Sequence, residues 1–337
     1  MYCCSNCFND SFLSTIINRE SIDINNCDFC KTANTNVVEP HQLSDYFQLV
    51  LDLYDSVERE GQTIAQLLKS NWMLFGELDD SIVIELIQHI SGVDYDGQYT
   101  PKTSLNEEHI LNWQEFKAEL KHTNRYFPKK APNYDHIKKL LGFIIVSEKK
   151  VPSQLYRSRV NTGVAKIEIS EMGKPPEKIS TAGRANPVGI PYLYTASDID
   201  TAIAEIRPHK GDTVTIATFN VKEPLILADL RNPRQSISPF ELDEDGLNQV
   251  FSDLEYLCHL GEELSKPILP REAHLEYLSS QYLCELIKHC GYDGVVYKSS
   301  VGTGDNYAIF YEEKLDPENE TAVYEIKDVN IVSLAIG

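Results

Sequence analysis

Two cysteine pairs, Cys4 with Cys7 and Cys27 with Cys30, crowd the first thirty residues and constrain this end of the chain more than any other feature. Each is a C-x2-C turn, and the nineteen residues between them match the spacing of zinc ribbons. Such a turn points two sulfurs at one ion, and Zn²⁺ accepts four thiolates tetrahedrally, which cross-links a segment too short to build a core. Four protein ligands leave no open position, so the expected role is structural. Cys3 stands beside them as a spare thiol. The other three cysteines, Cys258, Cys284 and Cys290, fall in apolar helical patterns and read as core.

With 337 residues the chain has room for about two domains. Lys+Arg number 31 against 51 Asp+Glu, a net charge of −20 that disfavours long nucleic acid and anionic membrane as partners. No run approaches the roughly 20 apolar residues that span a bilayer, and the N-terminus lacks the layout of a signal peptide, so a cytoplasmic address is expected.

The apolar residues Leu43, Tyr46, Phe47, Val50, Leu51, Tyr54 and Val57 follow helical spacing and predict one amphipathic helix. Further helices are expected around Ile64, Leu67 and Leu68, from Ile82 to Ile90 closing at Gly92, around Trp113, Phe116 and Leu120, and from Ile137 to Leu141 before Gly142. The result is a small helical bundle. Arg125, Lys129 and Lys130 read as a solvated edge of it.

Near residue 150 the periodicity changes. Strand-like runs are expected at 213–221, 225–230, 294–298, 307–311 and 329–336, and helices near 198–206, 245–265 and 275–290. The regular β-α-β alternation of a Rossmann unit is missing, as are G-x-G-x-x-G and G-x4-G-K-[ST]. The acidic stretch 312–325 reads as a solvated loop. The fold class is α+β: an N-terminal zinc ribbon and helical bundle, then a mixed α/β domain.

Several patches of the second half resist explanation as packing. Gly183 to Gly189 reads as a turn holding Arg184 on irregular backbone, where a guanidinium can fork onto phosphate or carboxylate. Arg157 sits at an expected strand start, with Arg159 on the same face. Ser197 begins a Ser-x-x-Asp cap for a short helix carrying Glu205, and Tyr194 precedes that helix on a strand, where its ring can face a planar ligand. Ser299 stands at a strand exit, with Ser300 adjacent and Asn306 starting the next strand.

In order and spacing, Leu155-Tyr156-Arg157, Ala182 to Gly189, Tyr194-Thr195-Ala196, Ala202 to Glu205 and Tyr297-Lys298-Ser299 resemble the RES domain. The resemblance implies an ADP-ribosyltransferase-like fold and a bacterial toxin that degrades NAD by hydrolysis or phosphorolysis of the nicotinamide–ribose bond. It implies Arg157 and Arg184 on the pyrophosphate and ribose side, with Arg159 able to substitute, Tyr194 against nicotinamide, Glu205 beside the reactive ribose, and Ser299 orienting. The family turn usually has an aromatic where Ala185 stands, so any stacking from that position is either absent here or supplied by Tyr192. The preceding region is similar to the HEPN-related N-terminal domain fused to RES domains. This gives residues 1–36 as zinc ribbon, 37–150 as helical domain and 151–337 as RES domain.

The resemblance further implies a neutralising antitoxin or an activating trigger such as phage infection, and a homodimer is the default assembly. Two other functions compete. Transfer of ADP-ribose to a protein or nucleic acid usually needs Glu or Gln two residues before the catalytic Glu, where Ile203 stands, and the Glu318-Asn319-Glu320 alternative lies in the acidic stretch. A zinc-containing RNA-binding or RNase module of the HEPN kind needs a histidine shortly after an arginine, and Arg19, Arg59 and Arg125 lack one.

Overall fold

The computed structural model describes residues 1–329 except 22, 104–106, 164 and 270. The strand expected over 329–336 therefore lies almost wholly outside the described residues. The chain divides into two compact units, Met1–His109 with Pro233–Tyr256, and Ile110–Asn232 with Leu257–Gly337. Among the described residues no helix is long and apolar enough to cross a membrane.

In the first unit, strands β1 (Cys3–Cys4), β2 (Asp23–Asn25) and β3 (Thr35–Val38) form a sheet in the order β1-β3-β2. Helix α1 (Ser11–Glu20) starts where the Asp10 carboxylate accepts from the Leu13 N–H, satisfying one donor that a helix start leaves free. Helices α2 (Ser44–Leu51), α3 (Ile64–Trp72) and α4 (Asp80–Ser91) follow. Gly92 caps α4 at φ 72°, as the expected closing glycine requires. Buried rings of Phe8, Phe47, Phe75 and Phe240 pack together in the core.

The first expected helix is shorter than its apolar spacing suggests. It ends at Leu51, and Tyr54 and Val57 belong to strand β4 (Tyr54–Val57), which pairs antiparallel with β5 (Gln98–Pro101). A partner strand about forty residues away decides that conformation, and local periodicity cannot register it.

The second unit is built on an eight-stranded sheet. Its strands are β6 (Gln154–Val160), β7 (Leu193–Ala196), β8 (Thr213–Val221), β9 (Leu227–Asp229), β10 (Gly294–Lys298), β11 (Asp305–Ile309), β12 (Leu315–Pro317) and β13 (Ala322–Glu325). The order is β12-β8-β6-β7-β11-β10-β9, with β13 also on β8. Among the described residues only β9 and β10 pair in parallel, so the sheet is mixed. The acidic stretch is thus not simply a loop: β12 and β13 pair with β8 along it, while Asp316 and Glu325 stay exposed.

Alternation along the strands sends side chains to two faces. Leu155, Leu193, Phe219, Val296, Tyr307 and Ile309 form the core on one face. On the other, Val214, Ile216 and Ile326 meet Ile199, Ile203 and Ile206 of α7 (Ile199–Glu205) and its C-terminal edge. Each such apolar side chain contributes about 1.5–3 kcal/mol on burial. Helices α5 (Glu107–His122, most of it in this unit), α6 (Tyr134–Phe143), the latter part of Glu244–Ser265, and Ala273–His289 complete the unit.

Two expected helix boundaries shift. α6 runs through Gly142 rather than stopping before it, because that glycine is exposed, has no positive φ, and has open space where a Cβ would stand. α7 is capped by Asp198 rather than Ser197: its Oδ1 accepts from the Thr201 N–H at 2.7 Å, and Ser197 Oγ donates to Oδ2 at 2.7 Å. Adjacent Ser and Asp are equally good caps by type, and the carboxylate bonds both neighbours.

Candidate functional site

The four cysteines of the two C-x2-C turns come together. Sγ of Cys4 and Cys30 lie 3.4 Å apart, those of Cys7 and Cys27 3.3 Å apart, and all four sulfurs stand within 4.8 Å of one another. Zn–S bonds of about 2.3 Å place tetrahedral sulfurs roughly 3.8 Å apart, so the cluster fits that ion. Hydrogen bonds from Cys4 and Cys7 push the Cys27 thiol well below its ordinary range, while Cys7 is pushed up by its bond to Cys27. Cys3 is buried outside this group, and burial pushes its pKa up to about 12.

In the second unit a cavity of about 250 Å³ opens on the sheet. A cross-strand row defines its floor: Tyr156 on β6 pairs with Ala196 on β7, Ala196 with Asn306 on β11, and Asn306 with Tyr297 on β10. All four line the cavity. The β6–β7 ladder has that one pair among the described residues, although β6 pairs with β8 along its whole length. The sheet therefore opens between β6 and β7, and Arg157, Ser158, Tyr194 and Thr195 line the cavity there.

Glu205, the last residue of α7, faces this space. Its Oε1 accepts from Ser299 Oγ and Asn306 Nδ2, both at 2.6 Å. The Asp198 cap makes that meeting possible. Gly304 N–H donates to Thr201 Oγ1 and Asp305 N–H to Ser197 Oγ, each at 3.0 Å, tying the loop after β10 to the start of α7. Ser299 Oγ in turn accepts from the Gly302 N–H at 2.8 Å. Two donors on one carboxylate oxygen hold the group in one orientation and leave the other oxygen for a ligand. Ser300 is exposed, whereas Ser299 bonds the carboxylate.

Arg157 lies mid-strand rather than at a strand start. Its Nη1 is buried and has no hydrogen-bond partner among the described residues. Burial first, then the like charge of Arg159, lowers its pKa to about 10, so the group stays cationic at neutral pH at a cost in solvation. Tyr194 presents its ring to the cavity but not its hydroxyl as an acid. That oxygen donates to Asn186 Oδ1 at 2.8 Å and accepts from the Ala185 N–H at 2.9 Å, and burial pushes its pKa far up.

Three expected residues lie elsewhere. Arg184 does not line the cavity: its Nη1 donates to the Lys266 carbonyl at 2.7 Å and its guanidinium sits 5.5 Å from the centre of the Tyr277 ring. Its turn is fastened to the helix Ala273–His289, where Ser280 Oγ donates to the Arg184 carbonyl and Gln281 Nε2 to that of Gly183. Arg159 stays outside the lining. Tyr192 is buried against Phe310 with ring centres 4.6 Å apart and does not line the cavity, which leaves the other alternative, that the stacking at the Ala185 position is absent. Tyr156, Ser158, Thr195 and Tyr297 were not singled out as ligand contacts by sequence reasoning. Their adjacency to Arg157, Tyr194 and Ser299 was the available signal.

The RES domain family matches residues 155–327, just over half of the chain. This chain belongs to the RES domain family. No curated protein matches the sequence. Among solved structures, the M. tuberculosis MbcT-MbcA toxin-antitoxin complex is similar over 58% of this chain and 94% of that one, at 13% identity and a TM-score of 0.35. The RES match spans every strand of the large sheet except the first residue of β6, and it includes Arg157, Tyr194, Glu205, Ser299 and Asn306.

Proposed function

We propose that this RES protein is a toxin that destroys NAD by cleaving the nicotinamide–ribose bond, with water or phosphate as acceptor, on an ADP-ribosyltransferase-like fold. The observation that carries the reading is one cavity lined by a fixed carboxylate, Glu205, by the rings of Tyr156, Tyr194 and Tyr297, and by Arg157, whose buried Nη1 has no hydrogen-bond partner among the described residues. A cavity of about 250 Å³ is small beside ordinary ligand sites of about 300–1,000 Å³ and suits one end of a dinucleotide.

The chemistry follows from the charges. Nicotinamide departs neutral, so no general acid is required, and positive charge develops on an oxocarbenium-like ribose. Glu205, held by Ser299 and Asn306, stabilises that charge without reorganising. Tyr194 stacks on the pyridine ring while its hydroxyl remains engaged in the 183–186 turn. Arg157 takes the negative charge of the pyrophosphate. Arg184 holds its turn in place and meets substrate only at the cavity edge.

The four-cysteine cluster holds structural Zn²⁺ within residues 1–36, ahead of a HEPN/RES-type helical domain over 37–150, in a cytoplasmic protein restrained by an antitoxin. Purified protein incubated with NAD, with and without phosphate, tests the activity: nicotinamide must appear, with ADP-ribose or its 1-phosphate as co-product. Glu205→Gln keeps an oxygen for the two donors and removes the charge, so turnover falls about 10²–10³-fold while the melting temperature holds. Turnover within threefold of wild type refutes the role of Glu205. Label from NAD appearing on a macromolecule instead of free nicotinamide supports transferase chemistry.

A further inference from the structure

The two donors that hold Glu205 flank one cross-strand pair. Lys298 on β10 pairs with Asp305 on β11 at the neck of their hairpin, Ser299 follows Lys298, and Asn306 follows Asp305. Strand alternation sends Tyr297 and Asn306 to the cavity face and the neck pair to the opposite one. There Lys298 Nζ lies 3.0 Å from Asp305 Oδ1, and Arg231 Nη1 donates to Asp305 Oδ2 at 2.8 Å. Arg231 also forks onto Asp229 at the end of β9, through Nε at 2.9 Å and Nη2 at 2.6 Å. Asp229 is buried and pairs with Val296, so two cations and two carboxylates tie the ends of three neighbouring strands together. The residues beyond the neck, 299–304, form no helix or strand and include two glycines, so they take their order from the neck and from the ties to α7.

We propose that Asp305, gripped by Arg231 and Lys298, is a positioning residue for Glu205: its ion pairs behind the sheet fix the neck from which Ser299 and Asn306 reach the carboxylate in front. Asp305 itself does not line the cavity. A carboxylate whose donors have shifted still admits substrate but meets the developing charge in a poorer orientation, so the clamp acts on kcat and spares KM. The reaction that kcat measures rests on the NAD reading above; the clamp itself rests on the ion pairs. Asp305→Ala is the informative change. Arg231 keeps its fork on Asp229 and Lys298 is half-exposed, so no buried charge loses its only partner.

The test uses the full chain with Asp305→Ala and Asp305→Asn, the first also combined with Glu205→Gln, read by NAD kinetics and by hydrogen exchange of the 299–306 peptide. Asp305→Ala lowers kcat about tenfold with KM within about twofold, and exchange in 299–306 speeds up about threefold or more. Asp305→Asn keeps the shape and an acceptor for Arg231, so kcat recovers to within about threefold of wild type. On Glu205→Gln the alanine costs less than about twofold, because the charge it positions is already gone. Where Asp305→Ala does not fold, Lys298→Met breaks the half-exposed pair alone and is held to a loss of about threefold in kcat by the same comparisons. An equal loss on Glu205→Gln, or a raised KM with kcat steady, shows a general packing or binding role and overturns the clamp. A kcat within about twofold of wild type also overturns it and leaves NAD cleavage intact. In a wild type that does not cleave NAD, faster exchange in Asp305→Ala keeps the clamp and overturns the NAD reading, and unchanged exchange overturns both.

Discussion

Replacing Arg157 with methionine should separate stability from function in opposite directions. Methionine keeps most of the unbranched stem that packs along β6 and deletes the guanidinium. Wild type bears the cost of the buried, unpaired Nη1, about 1–3 kcal/mol for an unsatisfied group, plus repulsion from Arg159. At about 2–4 °C per kcal/mol for a unit of this size, Arg157→Met melts about 2–12 °C higher. It also loses a charged contact with phosphate, so kcat/KM for NAD drops by about a hundredfold. The pH dependence follows from the sign of the shift. The folded pKa, about 10, lies below the ordinary 12.5, so in that interval the unfolded chain binds more protons and wild-type stability rises with pH. Below about pH 10 the cost is fully present, and the difference between variant and wild type is constant from pH 6 to 9. Scanning fluorimetry with and without ADP reads all of this: ADP raises the melting temperature of wild type and leaves that of Arg157→Met unmoved. A variant that melts below wild type, or that ADP stabilises equally, refutes the view of Arg157 as a strained ligand group.

Three other perturbations probe the supports of the site. Chelation, or Cys4→Ser, should strip about one zinc per chain, measured by metal analysis, and lower solubility while the kcat of the surviving soluble protein changes little. Gly183→Ala puts a Cβ 2.5 Å from the Tyr194 hydroxyl and closer still to Asn186 Oδ1, so the turn must move and KM for NAD should rise about tenfold or more; an unaltered KM shows that the Tyr194 ring is placed by β7 alone. Glu263 is buried and bonded by Lys117 and, at 2.6 Å, by Ser279 Oγ, with Lys266 nearby. Glu263→Ala removes the carboxylate that Lys117 bonds, while Lys266 keeps Glu276, and should cost about 3–5 kcal/mol in urea melts. Burial works to raise the Glu263 pKa, but these bonds outweigh it and lower it below 4.5. Its contribution is therefore complete above that pH and disappears as acid brings the pH down through the folded value; equal wild-type and variant profiles between pH 3 and 6 would remove Glu263 from the acid transition.

The parts of this molecule legible in its sequence are those whose causes are local or chemically rare. Four cysteines in two C-x2-C turns admit few other uses, and their sulfurs converge. Glu205, Arg157, Tyr194, Ser299 and Asn306 were marked by type and spacing, and they meet around one cavity or one carboxylate. Arg184 carried an equally strong mark but is not among the residues lining the cavity, because the direction of a turn arginine depends on a carbonyl 82 residues away at Lys266, and nothing in the turn encodes that partner. The choice between Tyr192 and no stacking residue was equally closed to sequence reasoning, since the packing of Tyr192 on Phe310 is long-range. β4 shows the converse: helical spacing that continues past Leu51 is overridden by pairing with β5. The buried Ser158 and Thr195 hydroxyls, which like Arg157 Nη1 have no hydrogen-bond partner among the described residues, were the least legible, since the property that matters is the absence of a partner. A sequence shows which groups a strand carries, but an unsatisfied donor exists only once β6 and β7 have paired at Tyr156 and Ala196 and then separated. The strain at this site is thus a consequence of sheet geometry, and a substitution that let β6 and β7 pair further would stabilise the fold by closing the cavity.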